Sequence, residues 1–152
     1  MAANPYVTTY DPKKVIVTFG GVPINGFASG TFISVAASAE RYQRVTGADG
    51  EVSRAKSADN THEVTITLLQ ASGSNQHLHD VEAMDRLADT GIRELSITDL
   101  NGETVMFWPE AWITGTPDLG FAAEQTDREW TLNTGQIAEL NVGGNRRYRL
   151  GG

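Results

Sequence analysis

Between Glu40 and Gln70 the chain passes from one kind of sequence to another, and that change constrains its fold more than any other feature. Residues 40–60 are a long polar run with no steady apolar period, broken by Asp49-Gly50. Residues 62–70 then alternate Val64, Ile66 and Leu68 against Thr65 and Thr67. Alternation with period two marks a strand with one buried face. A polar run of this length inside a compact domain is unusual, and is commonly functional or ordered by a partner. Asp49-Gly50 is a type I′ hairpin signal. Residues 37–60 therefore read as an extended loop or hairpin held out by a β domain, with a plain surface insertion as the simpler alternative.

The same alternation recurs along the chain. Val15, Val17 and Phe19 oppose Ile16 and Thr18, and residues 31–36 form a weaker second strand. Residues 92–98 and 103–108 are strands joined by an Asn101-Gly102 turn, with Pro109 interrupting and residues 111–115 continuing. Residues 126–133 alternate Arg128, Trp130 and Leu132 against Asp127, Glu129 and Thr131, and residues 135–142 add a short strand. Residues 1–12, with Pro5 and Pro12, read as an extended arm. Only one stretch has a helical period. Ser74 is positioned as its N-cap, the apolar stripe runs through Leu78, Val81, Met84, Leu87 and Ala88, and Gly91 is its stop. One amphipathic helix implies one apolar face laid on a sheet.

A chain of 152 residues with 39% hydrophobic content can bury a core as a single domain. It has no cysteine, which excludes disulfides and thiolate metal sites. The opening residues lack the apolar region of a secretory signal, and no stretch approaches the ~18 apolar residues of a membrane helix. The formal net charge of −7 argues against generic DNA binding, because affinity for phosphate comes from Lys and Arg. The one basic cluster is the tail 143–152, with Arg146, Arg147 and Arg149.

Candidate chemistry is sparse. His77 and His79 sit roughly 200° apart on a helix and cannot share a metal. No phosphate loop, nucleophile elbow or dinucleotide fingerprint is present. Asp127 and Glu129 share a strand face about 7 Å apart, a separation that suits paired carboxylates, but a solvated face is the commoner meaning. Phe107, Trp108, Trp112 and Trp130 read as sheet core rather than a nucleic-acid platform, because their charged neighbours are acidic. The expectation is no enzyme, no cofactor and no metal.

Three phrases in order carry a family resemblance: residues 47–78 (GADGEVSRAKSADNTHEVTITLLQASGSNQHL), residues 97–113 (ITDLNGETVMFWPEAWI) and residues 128–135 (REWTLNTG). Together they resemble the tail-tube, or inner-tube, proteins of contractile-tailed bacteriophages, a family long labelled as a phage structural protein of unknown function. The resemblance covers roughly residues 13–135.

It implies a mainly β fold, a β-sandwich or partial barrel with one flanking α-helix, shared with the tubes of type VI secretion and R-type pyocins. It implies hexameric rings stacked into a hollow tube, with the sheets of six subunits joined edge to edge around the lumen. The partners it implies are further copies of the chain, a tail sheath protein, a tape-measure protein, a baseplate initiator and a tail terminator. DNA would pass through the lumen without specific binding, and the chain would bind no membrane. The implied place is the virion tail, after assembly in the bacterial host cytoplasm.

On that basis the inter-subunit and inter-ring loop is assigned to Arg41, Arg44, Asp49, Gly50, Glu51, Arg54, Lys56 and Asp59, whose alternating signs suit register-setting pairs. The lumen is assigned to Thr65, Thr67, Asp127, Glu129 and Thr131, an acidic, threonine-rich face whose carboxylates would repel phosphate. Either strand face could be the inward one. Other classes remain open at this point: a monomeric β-sandwich binding module, a small carboxylate hydrolase, or a tube subunit of an injection system that delivers no DNA.

Overall fold

The computed structural model describes residues 8–145. The tail arginines Arg146, Arg147 and Arg149, and the first part of the N-terminal arm, lie outside the described residues. Among the described residues a short 3-10 turn (Pro12–Lys14), ten strands and one α-helix follow one another: β1 (Val15–Phe19), β2 (Val22–Pro23), β3 (Ile33–Ala37), β4 (Tyr42–Thr46), β5 (Val52–Lys56), β6 (His62–Leu69), α1 (Ser74–Ala88), β7 (Arg93–Asp99), β8 (Val105–Ile113), β9 (Asp127–Thr134) and β10 (Glu139–Asn141). The fold is mainly β with one flanking helix, as the alternation predicts.

The main sheet is antiparallel in the order β2-β1-β7-β8-β9-β6-β3, and β10 pairs the start of β8. The segment after β2 curls the sheet towards closure. Ile24 N–H donates to the carbonyl of Val17 on β1, while Ala28 N–H donates to Thr67 and Leu69 N–H donates to Gly26. A single irregular segment thus binds β1 at one end and β6 at the other, giving a nearly closed barrel. Gly26 makes this crossing with a positive φ of 78°, and a Cβ there would lie 2.5 Å from Ser72 Oγ.

The core follows the alternation strand by strand. Val17 and Phe19, Val64, Ile66 and Leu68, Leu95 and Ile97, Trp108, Ala111 and Ile113, and Trp130 and Leu132 all point inward. Trp108 is the largest fully buried side chain. The four aromatics expected in the core divide by parity: Trp108 and Trp130 are buried, whereas Phe107 and Trp112 are half-buried on the opposite face of β8 and its neighbours. Pro109 does not end its strand. β8 runs through it because the β7–β8 register shifts between Arg93 and Leu95, where the ladder is irregular and a missing N–H is tolerated.

Helix α1 differs from expectation at both ends and along its stripe. Ser74 is the first helical residue, not the cap, and its Oγ accepts from Asn25 N–H at 2.9 Å. Gly73 precedes it with no side-chain cap. The helix stops at Asp89, which takes the left-handed conformation at φ 55°. Gly91 serves a different need: a Cβ there would lie 2.2 Å from that of Asp85, so only glycine lets the chain turn so close beneath the helix. Leu78, Val81 and Glu82 form the buried stripe, while Met84 and Leu87 are exposed.

Candidate assembly interface

Two separate surfaces hold the residues singled out from the sequence. The first is the outer face of β6 and β9. Thr65 pairs with Thr131, Thr67 with Glu129, and Leu69 with Asp127. Because Val64, Ile66, Leu68, Trp130 and Leu132 fill the barrel, period-two geometry turns all five proposed lumen residues outward onto one continuous face. The register extends it to Glu63 opposite Asn133, and to Ser34 and Ala36 of β3 opposite Thr65 and Glu63. Glu63 and Ser34 were not anticipated, although Glu63 lies two residues before Thr65 and so shares its side. The outward positions of these three strands carry Glu63, Asp127 and Glu129 and no Lys or Arg.

The second surface is an arm. β4 and β5 form a two-stranded hairpin of their own, and every residue in both strands is exposed. The residues 37–60 are therefore an ordered projection. Its turn is not type I′, since among the described residues Asp89 is the one non-glycine with positive φ. Gly50 N–H donates to Gly47 at 3.0 Å, Gly47 N–H donates to Glu51 at 2.7 Å, and Gly50 alone takes a φ of 89°. This is a type I turn closed by a bulge glycine, which spares Asp49 a left-handed conformation. Asp49 Oδ1 instead accepts from Glu51 N–H at 3.1 Å.

Pairing sorts the arm's charges in space. Tyr42 lies opposite Lys56, Arg44 opposite Arg54, and Thr46 opposite Val52. One face of the arm thus gathers Arg44, Arg54 and Lys56, and the Arg54 guanidinium sits 4.0 Å over the Tyr42 ring. The other face carries Gln43, Val45, Ser53 and Ala55, and ends at Glu51. The signs that alternate along the sequence separate into a cationic face and an acidic tip.

Arg41 and Asp59 belong to the root. Ser57 N–H donates to Arg41 at 2.7 Å, closing the arm's base. Asp59 Oδ1 accepts from Thr61 N–H at 2.9 Å and Thr61 Oγ1 at 2.6 Å, and these bonds hold its carboxyl below the ordinary range. Asn60 N–H donates to Gln136 Oε1 at 3.0 Å, and Ser38 N–H to Thr61 at 3.1 Å. Where the chain re-enters the barrel, His62 Nδ1 accepts from Trp108 Nε1 at 3.2 Å, and Thr134 Oγ1 accepts from His62 N–H at 2.9 Å. Burial pushes the His62 imidazole below its ordinary value. The arm is therefore anchored at a root stitched to β6, β9 and the segment before β10.

No group of three or more potential metal-ligating side chains gathers among the described residues. His77 Nε2 donates to the Phe19 carbonyl at 3.0 Å, a structural bond. The site consists of surfaces, an acid-and-hydroxyl strand face and a projecting charged hairpin, and the chemistry these offer is recognition.

This fold is shared with tube and tube-terminator subunits of contractile injection systems. The structure superposes on the tube-terminating cap of the anti-feeding prophage with a TM-score of 0.63 at 13% identity, covering 93% of this chain and 96% of that one. It matches a subunit of the extended sheath–tube complex of an extracellular contractile injection system, PVC, with a TM-score of 0.60 at 14% identity over 85% of this chain and 89% of that one. In sequence it is 27% identical over 148 residues to Structural protein ORF10 of Pseudomonas phage KPP10, spanning 92% of this chain and 85% of that protein. The chain belongs to the Bacteriophage PhiTE tail tube protein family, whose pattern matches residues 14–142. It is thus a structural component of a phage tail, a tube or terminator subunit.

Proposed function

We propose that this chain is the repeating subunit of the tube, six copies to a ring, with rings stacked through the β4–β5 arm and the outer face of β3, β6 and β9 turned to the lumen. The tape-measure protein would occupy that lumen before infection and DNA would traverse it afterwards. A sheath would surround the tube, with a baseplate initiator and a terminator at its ends.

The observation that carries this reading is the acid-only outward face of three adjacent strands. Glu63, Asp127 and Glu129 stand among Ser34, Thr65, Thr67, Thr131 and Asn133, with no cation to hold a phosphate. Around a ring this face would repeat as a polar wall along which DNA slides. The arm supports stacking, because a hairpin exposed on every side gains little from its own chain and much from a neighbour. Head-to-tail contacts between rings produce an open filament, as a tube requires. The tube reading is preferred over a terminator because the family is a tail-tube family.

Negative-stain electron microscopy of the purified protein across a concentration series tests it. Hollow tubes, or six-fold rings that stack as concentration rises, are expected. Single rings that never stack would point to a terminator, and uniform monomers that baseplate seeds fail to extend would overturn the tube.

A further inference from the structure

Arg128 is a cation built into the barrel wall without a counter-charge. It occupies an inward position of β9, between outward Asp127 and Glu129, and is only 9% exposed. Its Nη1 is fully buried, and no hydrogen-bond partner reaches it among the described residues. The Phe121 ring lies 5.3 Å from the guanidinium carbon. The acids nearest in sequence point away by strand parity. An unpaired buried guanidinium is costly, and its planar fork is matched by a carboxylate.

The surroundings form a socket. Arg128 lines a groove of about 330 Å³ with Trp130, Asn75, Gln76, His79 and Leu119 among its walls. The loop from residue 114 to 126 holds the rim in place: Thr114 N–H donates to Thr131 at 3.0 Å, Thr126 N–H to Gln70 Oε1 at 3.1 Å, and Thr126 Oγ1 to Gly120 at 2.7 Å. Gly120 is thereby pinned between Leu119 and Phe121, which remain 66% and 78% exposed. A buried cation below two presented apolar side chains calls for a carboxylate that arrives beside an apolar group, on an element slim enough to enter.

We propose that the Arg128 groove is the docking socket for the tip of the β4–β5 arm of a second copy of this chain, with Glu51 as the carboxylate that pairs Arg128. The proposal rests on the tube reading and names the contact partner within it. The acids of the strand face and of α1 lie on broad surfaces that cannot enter a groove. Of the projecting elements among the described residues, the 114–126 loop builds the socket, with its own Asp118 and Glu124 exposed and outside the groove lining, which leaves the arm. Its five-residue strands reach roughly 17 Å. At its tip Asp49 is committed to the turn, whereas the Glu51 carboxylate makes no hydrogen bond or ion pair with the described residues. Val45, 57% exposed, lies on the same side of the arm as Glu51 and would meet Leu119 and Phe121. The cationic face of Arg44, Arg54 and Lys56 points the other way and is left for a separate acidic surface.

The chain has no cysteine, so a pair of introduced thiols reports this contact cleanly. Val45→Cys with Leu119→Cys, which keeps both Glu51 and Arg128, oxidised after assembly, should give a ladder of covalent oligomers, while each single variant gives none beyond a dimer. Arg128→Gln should raise the concentration needed for tubes by about 30-fold or more, as expected for truncating one partner of a buried charge pair. Arg128→Glu combined with Glu51→Arg should recover tubes that neither single charge reversal forms. The thiol variant keeps Arg128, so it answers even if the Arg128 substitutions fail to fold. Tubes with no ladder, or tubes from folded Arg128→Gln at the wild-type concentration, would overturn the socket and leave the tube standing. Wild-type protein that forms neither rings nor tubes would overturn the tube reading, and the socket with it.

Discussion

Trp108 Nε1 donates a 3.2 Å hydrogen bond to Nδ1 of His62, and the two rings meet edge to face with centroids 5.5 Å apart. The largest buried side chain of the barrel is thereby tied to the residue at which the arm returns to the sheet. The bond requires a neutral His62 with its proton on Nε2, because a protonated ring would turn an N–H towards the indole N–H.

That requirement sets a pH dependence. Burial lowers the His62 value from 6.5, ahead of smaller opposing effects from Asn60 and Asp59 and a further lowering from Arg41. A histidine depressed in the folded state contributes stability that is complete above the unfolded value and is lost as pH falls through the folded one. The folded chain should therefore lose stability as pH drops below about 6.5. His62→Gln keeps an acceptor for Trp108 without titrating and should flatten the slope of the melting temperature between pH 7.5 and 5.5. Asp59, also lowered, titrates from 3.8 downward and lies outside this window. Equal slopes for the two proteins would dismiss His62 as the cause.

Asn75 holds the start of α1 to the barrel with both ends of its amide. Its Nδ2 donates to the carbonyls of Leu69, Gln70 and Ser72 at 2.9, 3.3 and 3.1 Å, and its Oδ1 accepts from Trp130 Nε1 at 2.9 Å. Asn75→Ala strips a buried indole of its acceptor and should cost about 1–3 kcal/mol in urea unfolding. Asn75→Asp keeps the acceptor for Trp130 but sets a carboxylate against three carbonyls, so it should not restore the loss. A wild-type midpoint for the alanine variant would show the network to be incidental.

The strands were legible because each has one wet and one dry side: Val64, Ile66 and Leu68 could alternate with threonines only on a half-buried surface. The lumen set came out on one face for the same reason, since parity fixes which residues share a side even when the partner strand is unknown. Closure of the barrel was not legible. Ile24, Gly26 and Ala28 bind two strands through backbone groups alone, and backbone hydrogen bonds leave no period in the side chains. The helix start was misplaced because Ser74 has the right hydroxyl for a cap but spends it on Asn25, a partner 49 residues away. The arm's charges misled for a related reason: alternating signs along a strand pair say nothing about faces until the register is known. Arg128 was placed correctly with Trp130 and Leu132, yet its burial without a counter-charge becomes visible only once the loop 114–126 closes over it.

Arg44 and Arg54 stand directly opposite each other, and like charges so placed weaken a hairpin by a few tenths to about 1 kcal/mol. The isolated arm should be held back by this repulsion and relieved by an acidic neighbour. Arg44→Glu should accordingly slow amide exchange in β4 and β5 of the monomer while reducing assembly into tubes. Arg54→Glu should act likewise on assembly and also remove the cation from Tyr42. Tube yield should fall with added salt, which screens these contacts. Normal tubes from both variants would remove the cationic face from the interface.

The acid-only strand face makes the most direct statement about transport. Asp127 and Glu129 lie outward on β9, exposed and without a packing role, so replacing both by Lys should leave the fold intact and the unfolding free energy within about 0.5 kcal/mol of the parent. If this face lines the lumen, six subunits per ring would convert a repelling wall into rings of phosphate-binding charge. DNA release, followed as potassium efflux or genome transfer after adsorption, should slow while particle number and tail length stay normal. The effect should diminish as salt rises, because phosphate contacts weaken with counter-ion concentration. The paired change Thr65→Lys and Thr131→Lys, on neighbouring cross-strand positions, should reproduce it. Unaltered release kinetics from intact particles bearing either pair would place this face on the outside of the tube, against the sheath.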